Sequence, residues 1–124
     1  MEQEYIKGNI VMYDNKIHTI MDALGINNYE LSYISHPVNQ LELSGVPITP
    51  EILEKNGWEK DEEASFKTQL YYRKKVGVRT IFVIIKEETS RIVYNNTCLR
   101  IIQYYHELQH LLFGLGLNHE MKVC

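Results

Sequence analysis

The sequence has few cysteines, no excess of basic side chains and no long apolar run. Its two cysteines, Cys98 and Cys124, form neither a C-x-x-C pair nor a framework for disulfides, which is typical of a reducing compartment. Thirteen Lys and Arg against sixteen Asp and Glu give a formal net charge of -3, which disfavours nucleic acid and anionic membranes as partners. The longest apolar stretch, residues 80–85, is too short to cross a bilayer, so we expect a cytoplasmic protein without a membrane partner.

The composition is otherwise that of an ordinary globular protein. Hydrophobic residues make up 44% of the chain and charged residues 23%, far from the signature of disorder. A chain of 124 residues has the usual length of one domain and can bury its own core. We therefore predict a single domain over residues 1–124.

The N-terminal third predicts paired strands. Residues 5–21 alternate apolar and polar side chains around the turn pair Asp14 and Asn15, which indicates a β-hairpin. A second pair is predicted at residues 30–34 and 38–43. Together they would form a small antiparallel sheet, and one possible arrangement of its strands is that of SH3-like hairpins.

The remainder predicts two helices separated by strands. Thr49 and Pro50 are typical of a helix start, and Gly57 of its end, so a short helix is expected there. Residues 66–72, 76–85 and 92–94 predict an antiparallel meander, and residues 98–113 a long C-terminal helix packed on the sheet. The predicted fold class is therefore α+β.

A zinc-protease motif stands near the C-terminus. His106, Glu107 and His110 form H-E-x-x-H, which on a helix would place two imidazoles for zinc and a carboxylate as general base. The metzincin continuation fails, because Phe113 and Gly116 stand where it requires glycine and histidine. We predict no cofactor and no catalytic residue, with a minimal zinc hydrolase using these three residues as the alternative.

Two further features concern polar side chains. Gln109 falls among apolar positions of the predicted helix, so we expect it to be buried and hydrogen-bonded to the protein. The candidate ligand-binding residues form a basic, aromatic-flanked patch, and they are Tyr72, Arg73, Lys75 and Arg79. Such a patch could hold the phosphate of a nucleotide, or serve as a charged edge strand that prevents aggregation.

Two stretches of the chain carry a resemblance to other proteins, residues 45–58, GVPITPEILEKNGW, and residues 105–115, YHELQHLLFGL. Through them the chain resembles a group of small uncharacterised proteins from phages, prophages and mobile elements of anaerobic gut bacteria. The group's patterns there are "PIPLTPEILEKNGF" and "HQLQNLYFALTG", and the similarity begins at residues 8–11. Glu107 and His110 stand where the group has glutamine and asparagine, so the resemblance implies that the zinc motif arose from two substitutions.

From the residues and this resemblance we expect a non-enzymatic accessory binding protein. It would act on a host protein, in an anti-defence role, or sequester a small anionic ligand such as a nucleotide; a nucleic-acid-binding module is the second alternative. The wide apolar face of the predicted long helix also indicates a homo-oligomer, most simply a two-fold dimer. Its predicted interface residues are Tyr104, Leu108 and Leu111.

Overall fold

The structure, a computed structural model, describes residues 5–25, 27–63, 65–66, 68–95 and 97–121. The chain divides into two compact units. The first, here the terminal unit, combines the chain up to Val46 with Tyr104–Met121, and the second, the inserted unit, contains Pro47–Gln103. Each unit contains an antiparallel sheet and one short helix, which confirms the α+β class.

The terminal unit has a five-stranded sheet in the order β4-β3-β2-β1-β5. Its strands are β1 (Ile10–Tyr13), β2 (Lys16–Ala23), β3 (Asn28–Leu31), β4 (Val38–Asn39) and β5 (Ser44–Gly45). The predicted first hairpin is confirmed: Asp14 and Asn15 both have positive φ, 49° and 62°, as a tight hairpin turn requires. The second predicted pair is shorter than expected, since β4 ends at Asn39 and Gln40–Glu42 form a 3-10 turn.

One face of this sheet builds the core of the terminal unit. The buried cluster consists of Tyr5, Val11, Ile20, Tyr29, Leu31, Val38 and Leu43. The register of β2 against β3 shifts between Ile20 and Asp22, and an irregularity of this kind bends a sheet. The C-terminal helix α2 (Tyr105–Gly114) contacts β1 in the same unit.

The inserted unit is a meander in the order β10-β9-β8-β7-β6. Its elements are α1 (Pro50–Lys55), β6 (Glu59–Lys60), β7 (Leu70–Val76), β8 (Arg79–Lys86), β9 (Thr89–Tyr94) and β10 (Thr97–Ile102). The predicted short helix is confirmed as α1, with Thr49 at its N-cap and Pro50 in its first turn. The predicted meander is confirmed with shifted boundaries. A turn at Gly77, with φ of 63°, separates β7 from β8, and both strands begin later than predicted, whereas β9 begins earlier, at Thr89.

The predicted long helix over residues 98–113 is wrong. Thr97–Ile102 forms the strand β10, paired with β9, and α2 has only ten residues. The apolar spacing of the segment fits a helix, but its threonine and isoleucines also suit a strand, and β9 offers an edge to pair with. Hydrogen bonding to β9 therefore outweighs the local helical pattern.

Candidate functional site

A cavity of about 630 Å³ lies in the terminal unit, between the turn before β1, the middle of β2, the end of α2 and the segment that follows α2. Small-molecule sites commonly have this size, with an apolar lining and a few polar groups. Its apolar lining comprises Ile6, Ile20, Met21, Phe113 and Met121. Ile20 and Met121 are buried, whereas Met21 and Phe113 are exposed by 46% and 60%. The cavity can therefore receive an apolar group without the protein unfolding.

Gln109 ties two walls of this cavity together. Its Nε2 donates to the carbonyl of Gly8 at 2.8 Å and to the carbonyl of His119 at 2.9 Å. Its Oε1 accepts from the backbone N–H of Ile10 at 2.9 Å, and the side chain is fully buried. The prediction that Gln109 is buried and hydrogen-bonded is confirmed. This amide joins segments that are about a hundred residues apart in sequence.

The polar groups of the lining are Lys7, Thr19, His119 and Glu120. Lys7 and Glu120 are exposed, and His119 is half-buried with its ring edge-on to Phe113, 5.0 Å between ring centroids. With the described residues, the side chains of Lys7, His119 and Glu120 form no hydrogen bond or ion pair. These three side chains are therefore available to a ligand.

The H-E-x-x-H residues lie on the first two turns of α2. The rings of His106 and His110 are 5.8 Å apart between centroids, and His110 Nε2 lies 2.8 Å from Asn9 Oδ1. Glu107 Oε1 accepts from the backbone N–H of Tyr104 at 3.1 Å, which caps the helix. Glu107 thus caps its own helix, and His110 contacts the turn before β1.

His106 is an aromatic packing residue in this structure. It is 6% exposed, and its ring meets the Tyr5 ring edge-on at 5.0 Å and lies nearly parallel to the Tyr104 ring at 5.8 Å. Burial lowers the pKa of His106 from 6.5 to about 4; Glu107 opposes this shift and His110 adds to it. His106 is therefore neutral at neutral pH.

The structure does not bring the four predicted ligand-binding residues to one surface. Successive side chains of a strand point to opposite faces, so Tyr72 lies on one face of the meander and Arg73 and Lys75 on the other. Arg79 pairs with Val76, which shares the face of Tyr72. The patch that is continuous in sequence is therefore divided between two faces.

Two members of that patch are engaged within the inserted unit. The Tyr72 hydroxyl donates to Glu54 Oε2 at 2.9 Å, and burial, followed by this contact, raises the pKa of Tyr72 to about 12. The Arg79 guanidinium lies over the Tyr94 ring, 5.9 Å from its centroid. Tyr72 is buried, so it serves the core of the unit.

Arg73 and Lys75 line a second, more polar cavity of about 370 Å³, with Gly57, Glu59 and Lys74. Arg73 Nη1 lies 3.4 Å from Asp61 Oδ2, and Glu59 stands opposite Arg73 in the register of β6 and β7. These two carboxylates offset part of the positive charge of the three basic residues that line the cavity. Lys75 is exposed.

The predicted interface residues all belong to the terminal unit. Leu108 is fully buried there and Leu111 is half-buried. The Tyr104 ring packs directly on the backbone of Gly45 in β5, and the N–H of Tyr105 donates to the carbonyl of Val46 at 2.9 Å. Leu108 is therefore part of the core rather than of a surface.

The cavity joins residues that sequence analysis did not connect. Lys7, Phe113 and His119 come from three segments, and none of them forms a recognisable motif with the others. The one signal in the sequence was Gln109, a polar side chain on an apolar helix face. Its position indicated burial, but only the structure identifies the backbone carbonyls that it holds.

Neither a metal centre nor a membrane span is apparent in the described residues. Within them, no three or more His, Cys, Asp or Glu side chains are grouped to hold a metal ion. Their helices also lack the length and apolar character needed to cross a membrane. No protein-family model, curated protein or solved structure matches this chain.

Proposed function

We propose that the chain is a non-enzymatic binding protein that captures a small molecule with an apolar body in the cavity of the terminal unit. The observation that carries this proposal is the cavity itself, about 630 Å³ with a mainly apolar lining. Its buried wall, Ile20 and Met121, is preformed, so binding would not require the ordering of these side chains.

Removal of apolar surface from water can supply the affinity. Burial contributes roughly 25 cal/mol per Å² of apolar area, so a ligand that buries on the order of 200 Å² gains about 5 kcal/mol before its costs. The groups of the zinc motif do not line the cavity, and Glu107 caps α2. This supports capture over hydrolysis.

The chain would be an accessory protein of the phage and mobile-element type, acting in the cytoplasm, and the sheet β1–β5 would be of the SH3-like hairpin kind. We also propose that the chain associates with itself as a homodimer. Its most suitable surface is now β10, an edge strand whose Leu99 and Ile101 are exposed by 38% and 58%.

The test is binding of a neutral apolar probe, N-phenyl-naphthylamine, followed by calorimetry. We expect saturable binding of one probe per chain, and loss of binding in Met21→Trp, because the larger ring fills the cavity from its exposed side. Val78→Trp, at a fully exposed turn of the inserted unit, is the matched control and should bind as the unchanged chain does. Absence of saturable binding, or equal binding by Met21→Trp, would overturn the proposal.

A further inference from the structure

We infer that the ligand of this cavity is an amphipathic acid, with its acidic group bound between Lys7 and His119 and its apolar body against Ile20 and Met121. This inference rests on the proposed function and identifies the class of molecule. Its basis is the arrangement of charged and polar side chains along the lining.

Lys7 and His119 lie on the same side of the cavity because of the main chain. Gly8 follows Lys7, and a Cβ built on Gly8 would lie 3.5 Å from His119 Nε2. Gly8 has φ of 93°, a conformation that disfavours any other residue. Lys7 and His119 both line the cavity, and the His119 ring lies beside Gly8, the residue that follows Lys7, so the lining carries two potential donors in this region.

Gln109 fixes the backbone at Gly8 and His119 relative to each other. Its Nε2 binds the carbonyls of both Gly8 and His119, so the two backbone segments that carry the donors share one buried hydrogen-bond donor group. A site preorganised in this way loses less entropy when a ligand binds. An acid could accept hydrogen bonds from both side chains without moving the backbone.

Glu120 is the competing charge, and it decides between an acidic and a cationic ligand. Its carboxylate would repel an acid and attract a cation. Lys7 and Glu120 are both exposed, so water screens their opposite charges alike, whereas His119 is half-buried beside Phe113, where water screens interactions less. Two donors, one of them partly shielded, outweigh one solvated acceptor, so the geometry favours an acid.

The experiment compares two probes that differ by one sulfonate. Anilinonaphthalene sulfonate is the acidic counterpart of N-phenyl-naphthylamine, so their affinity ratio isolates the acidic group. We expect the sulfonate to bind about tenfold more tightly, and Lys7→Gln to remove most of that advantage while the neutral probe keeps its affinity within about twofold. Glu120→Gln should strengthen binding of the sulfonate.

Lys16→Gln is the matched control, since Lys16 is an exposed lysine of the terminal unit that does not line the cavity. Binding of the sulfonate by Met21→Trp, or an equal loss in Lys16→Gln, would mean that it binds outside the cavity and would overturn the inference. If the neutral probe binds but the sulfonate has no advantage, the inference fails and the proposed function stands. If neither probe binds, both fail.

Discussion

Gln109 is a buried amide whose hydrogen-bonding groups are used by the protein. Both its donor and its acceptor atoms bind backbone groups, on Gly8, Ile10 and His119. A buried polar side chain is tolerated when all its donors and acceptors form hydrogen bonds. Its removal leaves the backbone groups that it bound buried and without a hydrogen-bond partner. The residue therefore contributes both to stability and to the shape of the cavity.

Gln109→Leu should lower the free energy of unfolding by about 1–3 kcal/mol, because two carbonyls and one N–H lose their partner in a buried place. Urea denaturation measures this change. Gln103→Leu, at an exposed side chain, is the control and should cost much less. A Gln109→Leu chain as stable as the unchanged one would contradict the structural role assigned to the amide.

His106 should make the protein less stable in mild acid. The unfolded chain takes up a proton near pH 6.5 and the folded chain only near pH 4, since burial lowers the pKa. Between these values the unfolded state binds more protons, so the free energy of unfolding falls as the pH falls, by about 3 kcal/mol in all.

Denaturation at several pH values tests this, with His106→Gln as the variant. The variant should lose this part of the pH dependence between 6.5 and 4, whatever its stability at neutral pH. His36→Gln, which changes an exposed histidine, should keep the dependence. An unchanged slope in His106→Gln would show that other groups cause the acid sensitivity.

At the scale of elements, the start of α2 depends on a close contact with β5. The Tyr104 ring occupies the space where Gly45 would carry a side chain, and a Cβ there would lie 2.6 Å from Tyr104 Cδ1. Glu107 caps the same helix end through the Tyr104 N–H. The helix is thus positioned by a glycine in a strand as much as by its own sequence.

Gly45→Ala should therefore destabilise the chain by about 1–3 kcal/mol, as overpacking does when a ring cannot move away. Gly114→Ala is the matched control: a Cβ at this helical position meets nothing within 4 Å, and alanine favours helix, so it should be neutral or stabilising. Thermal unfolding of the two variants measures the difference. Equal melting temperatures would mean that Tyr104 can shift freely.

The element that sequence analysis misassigned is β10. Its residues fit an apolar helical face and also an edge strand, and pairing with β9 selects the strand. The helix α2 therefore has no wide exposed apolar face that could form a dimer interface, and its Leu108 is fully buried. Association itself remains a prediction, and the exposed edge of β10 is the surface on which we now base it.

At the scale of the whole molecule, we expect a homodimer in which β10 pairs with the same strand of a second copy. An edge strand has backbone N–H and C=O groups that another strand can satisfy, and β10 offers six residues where β6, the opposite edge, offers two. Light scattering at micromolar concentration should give about twice the 14.6 kDa of one chain.

Ile101→Lys tests this assembly, because a lysine on an edge strand opposes pairing. The variant should be monomeric. Phe66→Lys, at an exposed aromatic outside the named strands, should leave the dimer unchanged. A monomer mass for the unchanged chain, or a dimer that persists in Ile101→Lys, would contradict the prediction.

Local chemistry was sufficient to predict the elements whose boundaries depend on a few neighbouring residues. The turn at Asp14 and Asn15 and the start of α1 at Pro50 are of this kind, since turn and capping preferences act over three or four positions. The α+β class followed from the same patterns. Even the burial of Gln109 could be predicted, because one helical turn places it among apolar side chains.

Contacts between distant segments decided the rest. Residues 97–102 form a strand because they can pair with β9. The local sequence of these residues does not show that this pairing is available. The cavity lies between segments that are distant in sequence, and Gln109 binds the carbonyls of Gly8 and His119, which joins a turn near the N-terminus to the segment after α2. The residues of the basic patch do not share one surface, for the opposite reason. Neighbouring residues of a strand point to opposite faces, so Tyr72 and Arg73, which are adjacent in sequence, lie on different faces of the sheet.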